Sequence, residues 1–341
     1  MITVLDAGMQ TTLQDGGRIG YAHLGVPRAG AADMRSLRHA NRLAGNANDR
    51  ETALEITLTG PILRFDVASV IALTGGELSA RLDDMPVPMY QSVAVNAGQV
   101  LSCGAVRTGI RSYLAVNGGI RATRVLGSMA ADTLSGLGAP VLRKHDVLVI
   151  EPAHMSGGFY LRTPPGFADE VCLRVLSGPH QDYFAPETLH DFYAQVFTSS
   201  RSSDRTGVRL DADLYLPKPL TELPTQGMVT GAIQVTGDGH LILLLPNHGT
   251  TGGYPVIATV MTADHWQLGQ LAPGAHVRFE QVTRAQAVML LREQEQALEA
   301  DILTADDALL SARALLQLAR NNPGLQELHT RQGARWVCLR R

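Results

Sequence analysis

Asn247-His248-Gly249-Thr250-Thr251-Gly252-Gly253-Tyr254-Pro255 stands between two apolar runs, Leu241 to Leu245 and Val256 to Met261. Two short apolar runs joined by a glycine-rich turn form the pattern of consecutive β-strands. Just upstream, Gly237-Asp238-Gly239 divides Ala232 to Val235 from Leu241 to Leu245, a strong hairpin signal. In the longer turn, paired glycines let backbone N–H groups approach a ligand closely. The Asn247 amide and the Thr250 and Thr251 hydroxyls can orient its polar groups. The same composition also makes an ordinary tight turn, and both readings stay open from residue types alone.

The rest of the chain repeats this texture. Further strand-like runs are Ile2 to Leu5, Ala53 to Leu58, Val70 to Leu73, Leu78 to Leu82, Val93 to Asn96, Arg111 to Val116, Val147 to Ile150, Val171 to Leu176 and Val277 to Val282. Many short strands with frequent turns favour barrels or sandwiches over a parallel α/β sheet. Helices are few. Asp33 is a natural N-cap for a helix over Met34 to Ala44 that Gly45-Asn46 would end, and Glu187 to Val196 and Asp264 to Leu271 are two more candidates. Beyond residue 283, Arg284 to Leu298 and Ala305 to Ala319 lack Gly and Pro and carry good helix formers, which predicts a helical C-terminal appendage. The turn-rich stretch Met155 to Gly166 reads as a linker. These features predict a mainly β protein with some α, divided into an N-terminal β-rich subdomain (1–160), a second one (161–283) and a C-terminal extension (284–341).

At 341 residues, with 45% hydrophobic and 18% charged residues, the chain has ample material for more than one core. Aromatics at 5% leave that core to aliphatic side chains. A formal net charge of -3 with no basic stripe argues against nucleic acid as a partner. No apolar run approaches the roughly 20 residues that span a bilayer, and Met1 to Asp6 carries no leader pattern, so a cytoplasmic protein without a membrane partner is expected. Cys103, Cys172 and Cys338 lie far apart without metal-ligand spacing, and are read as small buried hydrophobes. No HExxH, P-loop or GxSxG pattern occurs, so motifs point to neither a metal, a common nucleotide loop nor a serine hydrolase.

Three polar clusters remain as site candidates. Gln14, Asp15 and Arg18 lie within one glycine-containing turn, where Arg18 can clamp a carboxylate or phosphate, or else pair with Asp15 to stiffen the loop. Arg111 opens a strand and meets either an anion or a structural carboxylate. Ser203, Asp204 and Arg205 form a polar loop before Gly207. His248 and His23 sit beside glycines, and both acid–base and plain turn roles are open to them.

Taken with Leu24-Gly25-Val26-Pro27, Ala53-Leu54-Glu55-Ile56-Thr57-Leu58, Ala72-Leu73-Thr74-Gly75, Arg111 to Val116, Gly118-Gly119-Ile120, Val125 to Ser128 and Gly231 to Val235, these motifs resemble the allophanate hydrolase subunit 2 family, or biotin-dependent carboxyltransferase family. A component of bacterial 5-oxoprolinase, its C subunit, belongs to that family. The resemblance runs in order from about residue 1 to about 285. It implies two cyclophilin-like β-barrel subdomains. It also implies an ATP-dependent enzyme, with Mg accompanying the nucleotide, that opens a small lactam to an amino acid. The implied partners are a smaller subunit of the allophanate hydrolase subunit 1 type and a lactam hydrolase subunit. Alternatives within the resemblance are biotin-dependent carboxyl transfer to a urea-like acceptor and non-catalytic regulation of a partner protein. By the same resemblance, Gln14, Asp15, Arg18 and Arg111 are expected to be catalytic. Ser203, Asp204, Arg205, Gln234, Asn247, Thr250, Thr251, Gly252, Gly253 and Tyr254 are expected to bind substrate or nucleotide. Members commonly carry Asp where this chain has Asn247, and Glu where it has Gln226, which weakens an acid–base role at both positions.

Overall fold

The computed structural model describes residues 1–151, 158–211, 214, 216, 223–303, 327–332 and 335–340. Its first subdomain contains β1 (Ile2–Asp6), β2 (Gln10–Gln14), α1 (Met34–Leu43), β3 (Ala53–Thr57), β4 (Ile62–Phe65), β5 (Ser69–Gly75), β6 (Arg81–Leu82), β7 (Met85–Pro86) and β8 (Ser92–Val95). It is completed by β9 (Val100–Ser102), β10 (Arg111–Val116), β11 (Ile120–Arg121) and β12 (Val147–Ile150). These strands form a seven-stranded sheet, β11-β12-β1-β4-β9-β6-β7, and a five-stranded sheet, β2-β3-β10-β5-β8. Ile2, Val4, Leu63 and Phe65 of the first sheet meet Leu54, Ile56, Ile71 and Leu73 of the second in one aliphatic core.

Helix α1 covers the far face of the five-stranded sheet, where Leu37, Ala40 and Leu43 pack on Ala72, Tyr113 and Ala115. Strands β5 and β10 are therefore buried on both faces, which is why they read as continuous apolar runs rather than alternating ones. The Asp33 side chain caps α1 as expected, accepting from Ser36 N at 2.9 Å.

After β13 (Tyr160–Leu161), the second subdomain comprises β14 (Glu170–Ser177), α2 (Pro186–Ala194), β15 (Phe197–Ser199), β16 (Gly207–Asp211), β17 (Gln226–Gly227), β18 (Ala232–Val235), β19 (Leu241–Leu244), β20 (Thr251–Gly252), β21 (Val256–Val260), α3 (His265–Leu268) and β22 (His276–Gln281). Seven of these close into a barrel, β14-β21-β18-β19-β16-β15-β22, sealed by parallel pairing of β14 with β22. Leu173 and Val175, Val208 and Leu210, Ile233 and Val235, and Leu241 and Leu243 all point inward at period two. The hairpin marked by Gly237-Asp238-Gly239 forms in the expected register, with Val235 opposite Leu241.

Four features depart from expectation. Gln14 belongs not to the turn of Asp15 and Arg18 but to the strand Gln10–Gln14, paired along its length with β3, where β-branched Thr11 and Thr12 are buried. Part of the expected linker is fastened down: Tyr160–Leu161 pairs with β23 (Ile302–Leu303), while Met155 to Gly157 lie outside the described residues. The C-terminal extension opens with helix α4 (Arg284–Ala300), whose Thr283 and Gln286 form a capping box. It then contains a hairpin of β24 (Glu327–Gln332) and β25 (Arg335–Arg340), while the helix read over Ala305 to Ala319 lies outside the described residues. Cys103 is buried as expected but Cys172 is exposed, because it stands on an outward position of β14.

Candidate functional site

Turns from both subdomains meet at one junction, and its centre is Glu55. On β3, at 1% exposure, its carboxylate accepts from Ala32 N at 2.9 Å and from the Tyr113 hydroxyl at 2.7 Å. Two buried guanidiniums flank it: Arg205 Nη1 of the second subdomain in direct contact, and Arg111 Nε at 3.5 Å. A buried carboxylate persists only when paired and hydrogen-bonded, and here both conditions hold. Sequence reasoning missed Glu55 as a site residue. The available signal was a charge inside the apolar strand Ala53 to Leu58, which demands a buried partner.

From Arg205 the network runs outward. Its Nη2 donates to Gly30 O at 2.6 Å and to Asn247 Oδ1 at 3.1 Å, and Asn247 Nδ2 donates to Asp132 Oδ1 at 2.9 Å. Asn247 thus accepts from a cation and donates to a carboxylate at once, which an amide can do and an ionised Asp cannot. Gln270, after α3, makes the same kind of link. It accepts Ile110 N and Arg111 N at 3.0 and 3.1 Å, and donates to Asp33 and to Arg111 O, both at 2.8 Å. Burial pulls Arg205 down to about 9 and lowers Arg111, yet leaves Arg205 protonated at neutral pH.

The turn holding Asp15 and Arg18 lies against the same junction, but neither side chain faces a cleft. Asp15 accepts from Ser128 Oγ at 2.6 Å, Met129 N at 2.8 Å and Gly17 N at 2.8 Å. Arg18, 1% exposed, donates to Ala130 O at 2.5 Å and Val125 O at 3.2 Å. Gln14 donates to Thr12 and to Ala131 O. Arg111 likewise donates to Gly269 O at 2.6 Å. Gln14, Asp15, Arg18 and Arg111, the residues expected to be catalytic, are thus all buried at the junction. Each bonds a segment distant in sequence, yet Gln14 Oε1, Arg18 Nη1 and Arg111 Nε have no hydrogen-bond partner among the described residues.

The residues expected to bind substrate or nucleotide divide into two groups. Arg205, Asn247 and Gln234 are buried, Gln234 lying beneath Gly252, where an added Cβ would meet its amide at 2.6 Å. The lack of a side chain at Gly252 is what lets that amide approach. Ser203, Asp204, Thr250, Thr251, Gly253 and Tyr254 are partly or fully exposed. Gln226 pairs with Gly252 through the short β17–β20 ladder and its amide lies 2.9 Å from His180 Nε2.

Open space adjoins this rim. A cleft of about 250 Å³ is lined by Ser202, Asp204, Thr206, Arg209, His248 and Gly249, together with barrel residues Ile242 and Leu244. His248 forms part of its wall, whereas His23 is exposed elsewhere on the surface. Desolvation lowers the His248 imidazole below its ordinary value, so it is neutral at physiological pH. A larger groove of about 530 Å³ lies between Gly75 to Leu78, Val87 to Tyr90 and Pro165 to Phe167, and none of the residues expected to be catalytic or to bind substrate lines it.

Arg18, Arg111 and Arg205 each donate to a backbone carbonyl, while Arg18 Nη1, Arg111 Nε and Arg205 Nε have no hydrogen-bond partner among the described residues. Among the described residues no group of three His, Cys, Asp or Glu side chains is placed to hold a metal. Among the described residues no helix is long and apolar enough to cross a membrane.

Residues 24–281 match the family described as carboxyltransferase domain, subdomain A and B. The chain is 34% identical over 305 residues to the C subunit of 5-oxoprolinase from Escherichia coli (strain K12), covering 88% of this chain and 97% of that protein. It is 32% identical over 321 residues to urea amidolyase of Saccharomyces cerevisiae, covering 86% of this chain but 17% of that one. Among solved structures, the K. lactis urea amidolyase superposes with a TM-score of 0.79 at 30% identity, over 89% of this chain and 20% of that chain. TTHA0988 superposes with a TM-score of 0.75 at 34% identity, over 82% and 55%. Ordered motifs, a mainly β architecture with a closed barrel, and matches over most of the length converge: this chain belongs to the carboxyltransferase-domain family, and it is similar to the C subunit of 5-oxoprolinase and to the matching region of urea amidolyase.

Proposed function

We propose that this chain is a subunit of an ATP-dependent 5-oxoprolinase-type enzyme that opens a small lactam to an amino acid in complex with a smaller partner subunit. The observation that carries the reading is the match to the 5-oxoprolinase C subunit, which spans 97% of that protein. The urea amidolyase match spans only 17% of its counterpart. The junction supplies a rigid floor, since every side chain around Glu55 is held by a partner on another segment, and the adjoining cleft supplies room for a small molecule. ATP enters this reading as a reactant of the assembled complex, with a lactam hydrolase subunit as a further component.

A second reading is favoured by the family's own description and by the TM-score of 0.79 to urea amidolyase: carboxyl transfer from a biotin carrier to a urea-like acceptor. The two are separated by ADP release from the chain reconstituted with its small partner and a lactam hydrolase subunit. Release that depends on 5-oxoproline supports the first reading. A stable complex in which 5-oxoproline leaves ADP release unchanged rejects it in favour of the second.

A further inference from the structure

Most polar groups around the 250 Å³ cleft are already engaged. Asp204 Oδ1 accepts from Thr206 N at 2.7 Å, Thr206 Oγ1 at 2.5 Å and Gly207 N at 3.3 Å. Ser203 Oγ donates to Ser200 O at 2.9 Å and accepts from Arg209 N at 3.1 Å. His248 differs. Its Nδ1 lies 2.7 Å from Gly249 O, and because a carbonyl only accepts, the proton of this bond sits on Nδ1. In the neutral ring Nε2 then carries the lone pair, and among the described residues no partner takes it up.

The ring is also held in place. His248 N donates to Leu245 O at 2.9 Å, and the preceding side chain, Asn247, is fixed by Arg205 and Asp132. An imidazole that lines a cleft, with one nitrogen tied to a carbonyl and the other without a partner among the described residues, has the arrangement of an oriented base.

We propose that His248 Nε2 is the proton acceptor of this cleft, serving the N–H or O–H of a small bound acyl compound. In the step, that N–H or O–H bond breaks, its electron pair stays on the nitrogen or oxygen, and a new Nε2–H bond leaves an imidazolium. Asp204 and Arg209 are the charged groups lining the same space. Asp132 lies behind Asn247, on the first-subdomain side. Arg209 is exposed, and its guanidinium has no partner among the described residues, which suits a substrate that carries a carboxylate. Burial of the ring, which lowers its affinity for a proton, agrees with a base that is free at neutral pH. This inference rests on the reading of the cleft as the reaction site of the proposed enzyme.

The test uses the full chain in its complex, labelled with ¹⁵N-histidine, with His248→Asn for assignment. Asn keeps a donor where Nδ1–H stands and removes the basic nitrogen, so folding should be preserved. The expected spectrum shows the Nδ1–H tautomer with a midpoint below 6.5, and an Nε2 resonance that moves when 5-oxoproline or urea is added. In turnover, His248→Asn should lower kcat at least 100-fold, change KM less than threefold and abolish the acidic limb of the pH profile. An Nε2–H tautomer, an Nε2 resonance indifferent to both compounds, or a variant with wild-type kcat and pH profile would each overturn the proposal. If urea moves Nε2 while 5-oxoproline neither moves it nor stimulates ADP release, the lactam reading fails and the role of His248 stands.

Discussion

Replacing Glu55 by Gln tests whether the junction clamps the two subdomains. The substitution removes one charge and almost no volume. Gln still accepts from Ala32 N and Tyr113, but its NH₂ then faces the Arg205 guanidinium, donor against donor, while Arg111 loses its carboxylate. At the 3.5 Å separation of Arg111 Nε from Glu55, with an effective dielectric near 20, the lost attraction is about 5 kcal/mol. Relaxation and water entry reduce this, and breaking a buried pair typically costs about 3–5 kcal/mol. For a chain of this size, with an m-value near 3 kcal/mol/M in urea, the unfolding midpoint should fall by about 1–1.7 M. Glu55→Gln combined with Arg205→Met removes both charges, and the pair should then be at least about 2 kcal/mol less destabilised than the sum of the single variants. A single-variant loss below about 1 kcal/mol, or additivity within about 0.5 kcal/mol, would refute the clamp.

Asn247→Asp places a carboxylate 2.9 Å from Asp132 and loses the donor between them. One proton is then favoured on the pair, raising a folded-state pKa, so the added cost should be small near pH 4 and grow as the pH rises to 8, read as a falling urea midpoint that wild type does not show. Gly138→Ala drives a Cβ into Ala130 O and Arg18 Nη2 at φ +83°, where a side chain is strained, so it should displace the Arg18 bond and lower stability by about 2–4 kcal/mol in calorimetry. Buried His39, with both ring nitrogens unpartnered among the described residues, is lowered from 6.5 to about 3. The unfolded chain therefore binds the extra proton first, and stability should fall by up to about 1.4 kcal/mol per pH unit below 6.5. His39→Leu should flatten that slope in urea titrations between about pH 4 and 7.

The β-rich class was legible because alternation is local. Leu241 and Leu243, like Ile233 and Val235, carry their own period, and the glycines at 237 and 239 mark where the chain reverses. The cap at Asp33 was legible for the same reason, since its partner is three residues away. The roles of Asp15 and Arg18 were not. Proximity in one turn suggested a pair facing a ligand, whereas their partners are Ser128, Met129, Val125 and Ala130. Nothing in so short a window encodes a bond to a segment more than a hundred positions on.

The candidate site shows the same division. Its exposed rim, Ser203, Asp204 and Thr250 to Tyr254, lies where glycine and small polar residues predicted turns. Glu55 left one sign, a charge inside an apolar strand, whereas Asp132 and Gln270 sit in connections whose local pattern gives no sign of their partners. His248 was visible as a histidine beside a glycine, but its free nitrogen follows from which atom accepts at Nδ1.

By itself, the order of residues determined strands, turns, the first helix and the family, because each depends on backbone preferences and side-chain periodicity within a few residues. Only the tertiary structure decided that four expected catalytic residues are buried, that one carboxylate joins two arginines from different parts of the chain, and that an imidazole lines the cleft. Those outcomes depend on burial and on partners distant in sequence. The energy of a buried charge or amide is set by what surrounds it once the chain is folded.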